Sequence, residues 1–342
     1  MELLDLNEFS LVSKKTESLA EMKSVQFPLL STPKNALNEI LKSLDMYYLV
    51  NFSLLSKKTN SLAEALNFKP MPIDIEVTHD MVAYADNVIP VFSIPNKPVV
   101  LEPQKPGCKP KILGKEFLEH ALIYFKQKTV RALIVGENLD ETFLPSVFYC
   151  VPYCENVAIH GNVSESAQSK ILSRYQNAAK QLSLYSDPPA ELKANMVAQN
   201  LDRLKGQYHT NRWMELEALL MANSAALGVF NMDLRTLNKF LKVWVRKKCN
   251  RRLEYLWSDI MHDDFDIKTV LAGIDYKEVP SDTIRTFKHS KKVLDFDWLI
   301  MTDTMEVRGG CDFRRRDGTR ATLAVRVVNG IRKLEFFVWS HV

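Results

Sequence analysis

Cys150 and Cys154 stand four residues apart, and a histidine and three aspartates crowd into "HDDFD" at 262–266. Thiolates, imidazoles and carboxylates are the groups that hold metal ions or attack electrophiles. A structural zinc takes four ligands, and the cysteine pair has no second pair to complete one. No metal is expected. The acidic groups of "HDDFD" instead suit the N-terminus of a helix containing Ile267 and Val270, where the dipole favours negative charge. Nucleophilic catalysis by a cysteine and a histidine needs only proximity in space. An enzyme of that kind would show turnover depending on one or two of Cys150, Cys154, His160 or His209. The chain has no P-loop, no G-x-S-x-G, no H-E-x-x-H and no G-x-G-x-x-G. No enzymatic activity and no cofactor is expected. "RKKCNRR" at 246–252 offers a basic patch, but it follows a helical pattern and suits a helix C-terminus, which favours cations.

The elements that would position these groups fall into distinct regions. Leu37, Ile40, Leu41 and Leu44 form one stripe of a helix begun by Thr32 or Pro33. Leu49, Phe52 and Leu55 or Ser56 form a second helix, with Asp45 placed to cap it. Leu62, Ala63 and Leu66 form a third, ended by Pro70. Three such short helices bury little surface by themselves, so their remaining apolar residues need a partner.

Eight of the 15 prolines lie in 70–110. That stretch reads as a linker with short edge strands "IDIEV" and "VIPVFSI", because proline is kept out of central strands. From about 115 helices and strands alternate. "KEFLEHALIYFKQK", "SESAQSKILSRYQNAAK" and "DLRTLNKFLKVWVRK" read as helices. "VRALIV" (130–135), "ENVAIHG" (155–161), "LSLYS" (182–186) and "RLEYLWS" (252–258) read as strands, with apolar runs "LEALLM" (216–221) and "LGVF" (227–230) between. The strand spacing is that of an irregular leucine-rich-repeat-like solenoid. The last fifty residues differ: Asp317-Gly318 and Asn329-Gly330 are hairpin turn pairs, and "TLAVRV" and "LEFFVW" are strand formers. They predict a three-stranded antiparallel meander. The fold class is therefore α+β or α/β.

With 342 residues, two domains or an elongated repeat is the expectation. The net charge of +4 gives no broad basic face, so nucleic acid is not an expected partner. Five scattered cysteines suit a reducing compartment, cytoplasmic or nuclear. No run of 18 apolar residues and no signal-peptide core occur, so neither membrane nor secretion is expected.

One repeat stands out. "FSLVSKKTESLAE" at 9–21 recurs as "FSLLSKKTNSLAE" at 52–64. Residues 28–59 resemble an F-box: Pro33 is followed by Leu37, by Ile40-Leu41 and by Leu44 at the family's spacing, then by Leu49, Phe52 and Ser56. Thr32 replaces the family's leucine before the proline, and Thr59 stands where many F-boxes carry tryptophan. "FPLL" and "SLLSKKTNSL" resemble the large nematode F-box family. "DLRTLNKFLKVWVRKKCNRRLEYL" and "DFRRRDGTRAT" are similar to that family's F-box-associated type 2 domain. Residues 9–21 then resemble the back half of a second F-box without its front helix. The implied organisation is a truncated non-binding copy over 1–24, the F-box over 27–69, the proline-rich segment over 70–112 and the substrate domain over 113–342.

The resemblance implies a substrate receptor of an SCF-type ubiquitin ligase, joined to a Skp-family adaptor and through it to a cullin. The implied adaptor-binding residues are Pro28, Leu30, Pro33, Ile40, Leu41, Leu44, Leu49, Phe52 and Ser56, with Leu37 and Leu54 assigned to the box's own core. Candidate contacts for an unknown protein substrate are Trp298, Arg314, Arg315 and Arg316, with Phe336, Phe337 and Trp339. Strand alternation would also send one of the two phenylalanines into the core, and the arginines would also suit a solvated hairpin edge. The alternative function is a non-ligase interaction scaffold, a paralogue whose box has drifted.

Overall fold

The structure is a computed structural model. It describes residues 33–44, 46–67, 72–77, 81–85, 89–94, 114–137, 139, 141–206, 214–260, 265–295, 300–328 and 330–339. The chain divides into two compact units between Asn67 and Phe68. The first repeat copy at 9–21, Asp45 and Pro70 lie outside the described residues.

The first unit holds helices α1 (Lys34–Ser43), α2 (Met46–Leu54) and α3 (Lys57–Ala65). Pro33 occupies the cap position before α1, and its carbonyl accepts from Leu37 N at 2.9 Å. The leucine stripe buries Leu37 and Leu41. Ser56 and Thr59 form a reciprocal capping box at the start of α3: Thr59 N donates to Ser56 Oγ at 3.1 Å, and Ser56 N donates to Thr59 Oγ1 at 2.8 Å. Thr59 is buried, so its side chain serves the cap from within the unit. Asn67, with φ of 49°, follows α3 in the left-handed region, a stop made before the expected Pro70.

The second unit is built on one sheet of 13 strands. Strands β1 (Ile73–Val77), β2 (Met81–Ala85) and β3 (Ile89–Ile94) run antiparallel. After α4 (Gly114–Tyr124), β4 (Ala132–Val135) pairs parallel with β1, and β5 (Asn156–Ile159), β6 (Gln181–Leu184), β7 (Arg203–Gly206), β8 (Ala226–Phe230) and β9 (Tyr255–Ile260) follow, each parallel to the one before. Helices α5 (Leu144–Cys150), α6 (Glu165–Tyr175), α7 (Ala190–Ala198), α8 (Leu216–Met221) and α9 (Leu234–Val245) alternate with them. Sheet order follows chain order through this stretch. Right-handed crossovers between successive neighbours keep such helices on one face.

Two sequence expectations are corrected, and one unassigned apolar run is resolved. "IDIEV" is not an edge strand: β1 lies between β2 and β4, and Ile73, Asp74 and Ile75 are fully buried. It therefore belongs to the sheet rather than to a linker. "LEALLM" is helix α8. The meander has four strands, β10 (Lys277–Asp295), β11 (Ile300–Arg314), β12 (Arg320–Val328) and β13 (Ile331–Trp339). It continues the same sheet, because β13 pairs antiparallel with β9. Of the two hairpins, the second closes at the paired Val328 and Ile331, with Gly330 at φ of 79°. The other is longer: Arg315 N donates to Thr319 O and Gly318 N to Arg315 O, with only Gly318, at φ of 90°, in positive territory. That is a type I turn followed by a left-handed glycine.

The two faces of the sheet differ chemically. One carries Leu133, Val157, Leu182, Leu204, Leu227, Leu256 and Phe336, all buried. Trp244 of α9 packs edge-on against Phe336 and Phe313 there, with ring centroids at 4.9 and 6.2 Å. Asn238 of α9 donates to the carbonyls of Val270 and Ala272, pinning the short helix α10 (Ile267–Leu271) beside it. Asp266 caps α10 by accepting from Lys268 N, as "HDDFD" led one to expect.

Glu141, in the turn before α5, accepts from Ser164 and Ser166 at the start of α6 and pairs with Lys170 at 2.9 Å. The Ser164 hydrogen bond first, then those of Lys170 and Ser166, hold its carboxyl at about 2 against an ordinary 4.5. A carboxyl depressed on folding stabilises above its unfolded value and loses that contribution as pH falls through the folded one. Wild type should therefore exceed Glu141→Gln in urea midpoint above about pH 4.5, and the two should converge as pH approaches about 2. Parallel acid titrations of both proteins check this. A gap that is constant with pH would refute it.

Candidate functional site

Helices α1 to α3 divide the adaptor candidates into two groups. Leu41 and Leu49 are completely buried and Phe52 is 9% exposed, so these three serve as core. Pro33 is exposed, Ile40 and Leu44 are half-buried, and Ser56 is exposed while its hydroxyl caps α3. Pro28 and Leu30 lie outside the described residues. Leu55, between α2 and α3, was passed over as a candidate and is 57% exposed. At that exposure Leu55 is no part of the unit's own core. The helical period alone does not separate it from Phe52, three residues earlier.

The face of the sheet opposite α9 carries a different set. At matched registers Gln181 lies beside Arg203, Ser183 beside Lys205, Arg203 beside Ala226, and Lys205 beside Gly228. Alternation in "RLKG" puts both cations of β7 on this face, with Leu204 on the other. The Arg203 guanidinium lies 4.9 Å from the ring centre of Trp257, and the Lys205 ammonium 5.2 Å from that of Tyr185. Tyr185 stacks on His160 with centroids 4.6 Å apart. Gly228 is a glycine because a β-carbon there would stand 2.2 Å from the Trp257 indole.

Toward β9 and β13 the same face turns aromatic. Tyr255, Trp257, Phe287, Val307, Ala324 and Phe337 cluster there, with Met305 and Trp339 against them. Phe287 belongs to β10, which reaches this cluster by arching back over the face. Two irregularities in the β10–β11 ladder, at Val279/Ile284 and at Lys288/Val293, permit the arch. The Tyr255 hydroxyl donates to Glu335 at 2.6 Å, and Arg326 pairs with the same carboxylate at 2.8 Å. Burial, then the Glu335 charge, keeps the Tyr255 phenol protonated well above its usual range. Asp312 accepts from Arg285, Arg320 and Thr322. Arg285 and Arg320 also lie over Trp339, whose indole N–H donates to Thr322 at 2.8 Å.

Arg315 is not available to a substrate. It is 9% exposed, its Nε donates to both Asp317 oxygens at 3.1 Å, its Nη2 donates to Thr319 Oγ1, and it lies 5.0 Å from the Trp244 ring centre. The Arg315 guanidinium, then the Thr319 hydroxyl, hold the Asp317 carboxyl well below its usual range. Lys247, in the left-handed region just past α9, pairs with Asp317 at 3.3 Å. "RRRDGT" is thus a clamp between a hairpin loop and a helix end, and one cation of "RKKCNRR" completes it. Arg314 and Arg316 are exposed, and Trp298 lies outside the described residues. Phe336 is core on the α9 face and Phe337 joins the aromatic cluster on the other. Arg315→Ala should cost about 2–3 kcal/mol in urea unfolding by removing charged hydrogen bonds, while Arg314→Ala should stay within about 0.5 kcal/mol. Equal effects would show that the clamp contributes nothing.

Among the described residues, no three histidine, cysteine, aspartate or glutamate side chains gather as a metal site. Cys154 is buried, and burial pushes its thiol up to about 12. Among the described residues, no helix is long and apolar enough to cross a membrane.

A family profile described as F-box domain matches residues 33–71, and one described as F-box associated matches residues 194–258. The first takes in α1, α2 and α3, and the second runs from within α7 through β7, α8, β8 and α9 into β9. No curated protein and no solved structure matches the chain.

Proposed function

From a chain that carries an F-box domain and an F-box-associated domain, we propose a substrate-recognition subunit of an SCF-type cullin ubiquitin ligase. The three-helix unit docks on a Skp-family adaptor, which links it to the cullin. The second unit holds a protein substrate. The chain performs no chemistry itself. It raises the local concentration of the substrate beside the conjugating enzyme, which is a proximity effect.

One observation carries the reading: within the F-box match, Pro33, Ile40, Leu44 and Leu55 present apolar surface to solvent while Leu37, Leu41 and Leu49 make the core. Helices with an unfinished apolar side suit helix-in-groove recognition, in which a few central anchors carry most of the energy. A standard interface of this kind buries about 1,600 Å². On the second unit, with Arg315 buried, the exposed Arg314 and Arg316 remain as the candidate substrate contacts. Affinity purification of the tagged full chain, read by mass spectrometry, tests the proposal. Adaptor and cullin peptides are expected. A folded chain that retains neither would instead be an interaction scaffold outside the ligase.

A further inference from the structure

The two basic runs of the sequence meet at one corner of the second unit. Arg316 N donates to the carbonyl of Val245, the last residue of α9, at 2.9 Å, and Lys247 pairs with Asp317 at 3.3 Å. Residues 246–248 therefore lie against the hairpin loop between β11 and β12. Among the described residues, Arg246, Lys248, Arg314 and Arg316 are exposed and form no ion pair. Arg314 reaches only a carbonyl, that of Gly318 at 3.0 Å.

The carboxylates of this corner do not offset those four charges. Residues 246–252 contain none, and 312–317 contain two, both engaged elsewhere. Asp317 holds Arg315 and Lys247, and Asp312 holds Arg285 and Arg320. Arg252, which ends the first run, is paired with Asp202 at 3.6 Å and adds nothing to the excess. Two further observations select the partner. On both segments the unpaired cations alternate with an engaged one: Lys247 stands between Arg246 and Lys248, and Arg315 between Arg314 and Arg316. They flank the clamp rather than meet at a point, which suits a run of carboxylates better than a single phosphate. The rings at this corner, Trp244 and Phe313, are 0% and 3% exposed. They give no platform on which the bases of a single-stranded nucleic acid could stack.

We propose that this corner takes an acidic, carboxylate-rich segment of a protein partner, held by Arg246, Lys248, Arg314 and Arg316. Three of the four are arginines, whose planar guanidinium matches a carboxylate in a bidentate pair. The clamp fixes the backbone beneath both segments, so less freedom is lost when the partner binds. The proposal rests on the reading of the second unit as the part that holds the substrate, and it gives that substrate a chemical class.

The test is fluorescence anisotropy on the full chain with a fluorescein-labelled Gly-Glu-Asp-Glu-Asp-Glu-Asp-Gly peptide. Saturable binding is expected, and the uncharged counterpart Gly-Gln-Asn-Gln-Asn-Gln-Asn-Gly should not bind. Arg314→Ala/Arg316→Ala should keep the wild-type unfolding midpoint and weaken binding about tenfold. Arg235→Ala/Lys239→Ala removes the same charge from exposed positions of α9 away from its C-terminal end. It should change binding by less than about twofold, because solvent screens distant exposed charges. Equal weakening in the two variants would reduce the effect to general attraction and overturn the proposal. So would no saturation below about 1 mM, or equal binding of the uncharged peptide. Tighter binding of a neutral peptide bearing one phosphoserine, or of an oligothymidylate matched in charge, would overturn it as well. Adaptor retention separates this proposal from the ligase reading. Arg314→Ala/Arg316→Ala should retain the adaptor as wild type does, and a wild-type chain that retains none removes the ligase role without touching the peptide result.

Discussion

Leu41→Asp should unfold the three-helix unit and abolish adaptor retention, whereas Leu55→Asp should lose the adaptor and keep the helices. Leu41 is fully buried, and Leu55 is 57% exposed. A carboxylate forced into a site without a cation costs several kcal/mol or drives its own protonation. A unit of three helices of nine or ten residues each has little stability to lose. At Leu55 the new charge stays in water, so the fold survives. If Leu55 is an anchor, its loss should weaken the complex by about 2 kcal/mol or more, roughly thirtyfold. Limited proteolysis of the full chain, followed over 34–65, reports the helices, and co-purification reports the adaptor. Leu41→Asp with intact helices would place that residue on a surface. Leu55→Asp with full retention would remove it from the interface.

Gly310→Val should destabilise the second unit by about 2–5 kcal/mol, since a left-handed backbone and a packing clash each cost about 1–3 kcal/mol. Gly310 has φ of 101°, where L side chains are strained, and its β-carbon would lie 2.7 Å from the Leu323 carbonyl. The two costs fall on one residue, at the point where β11 leaves β12 to arch over the aromatic face. Gly318 is the control: its φ is 90°, but a β-carbon there meets nothing within 4 Å. Gly318→Ala should cost about 1 kcal/mol. Urea unfolding monitored by tryptophan fluorescence distinguishes them. Equal midpoints for the two variants would mean that the chain bends as readily without Gly310.

The outcomes above separate what local sequence encodes from what only the assembled sheet reveals. The leucine stripe of α1 was legible because spacing of three and four is a local property, and Leu37 and Leu41 are indeed its core. The parallel strands "ALIV" and "NVAI" were legible as short apolar runs. β7 was not, because "RLKG" reads as polar until Trp257 and Tyr185 are brought over Arg203 and Lys205. β10 was not, because "KEVPSDTIRTFKHSKK" shows charge and a proline where a strand pattern should alternate. Its proline sits at a ladder irregularity, where one is tolerated. Arg315 was legible as a reactive-looking cation but not as a buried clamp, since its partners include Trp244, far along the chain. The surface of the box suffered the same loss: helical period assigns a stripe, but it does not say that Leu49 is covered and Leu55 is not.

The placement of β13 between β12 and β9 has a consequence for how the protein comes into being. Each parallel strand from β4 to β9 can settle against its predecessor as it leaves the ribosome, because its partner has already been made. β10, β11 and β12 can pair among themselves, but they join the sheet of β4 to β9 only through a strand synthesised after all of them. Until β13 appears, the nascent chain exposes two unmatched margins, that of β9 and that of β12, and this is the interval in which chaperones would be needed most.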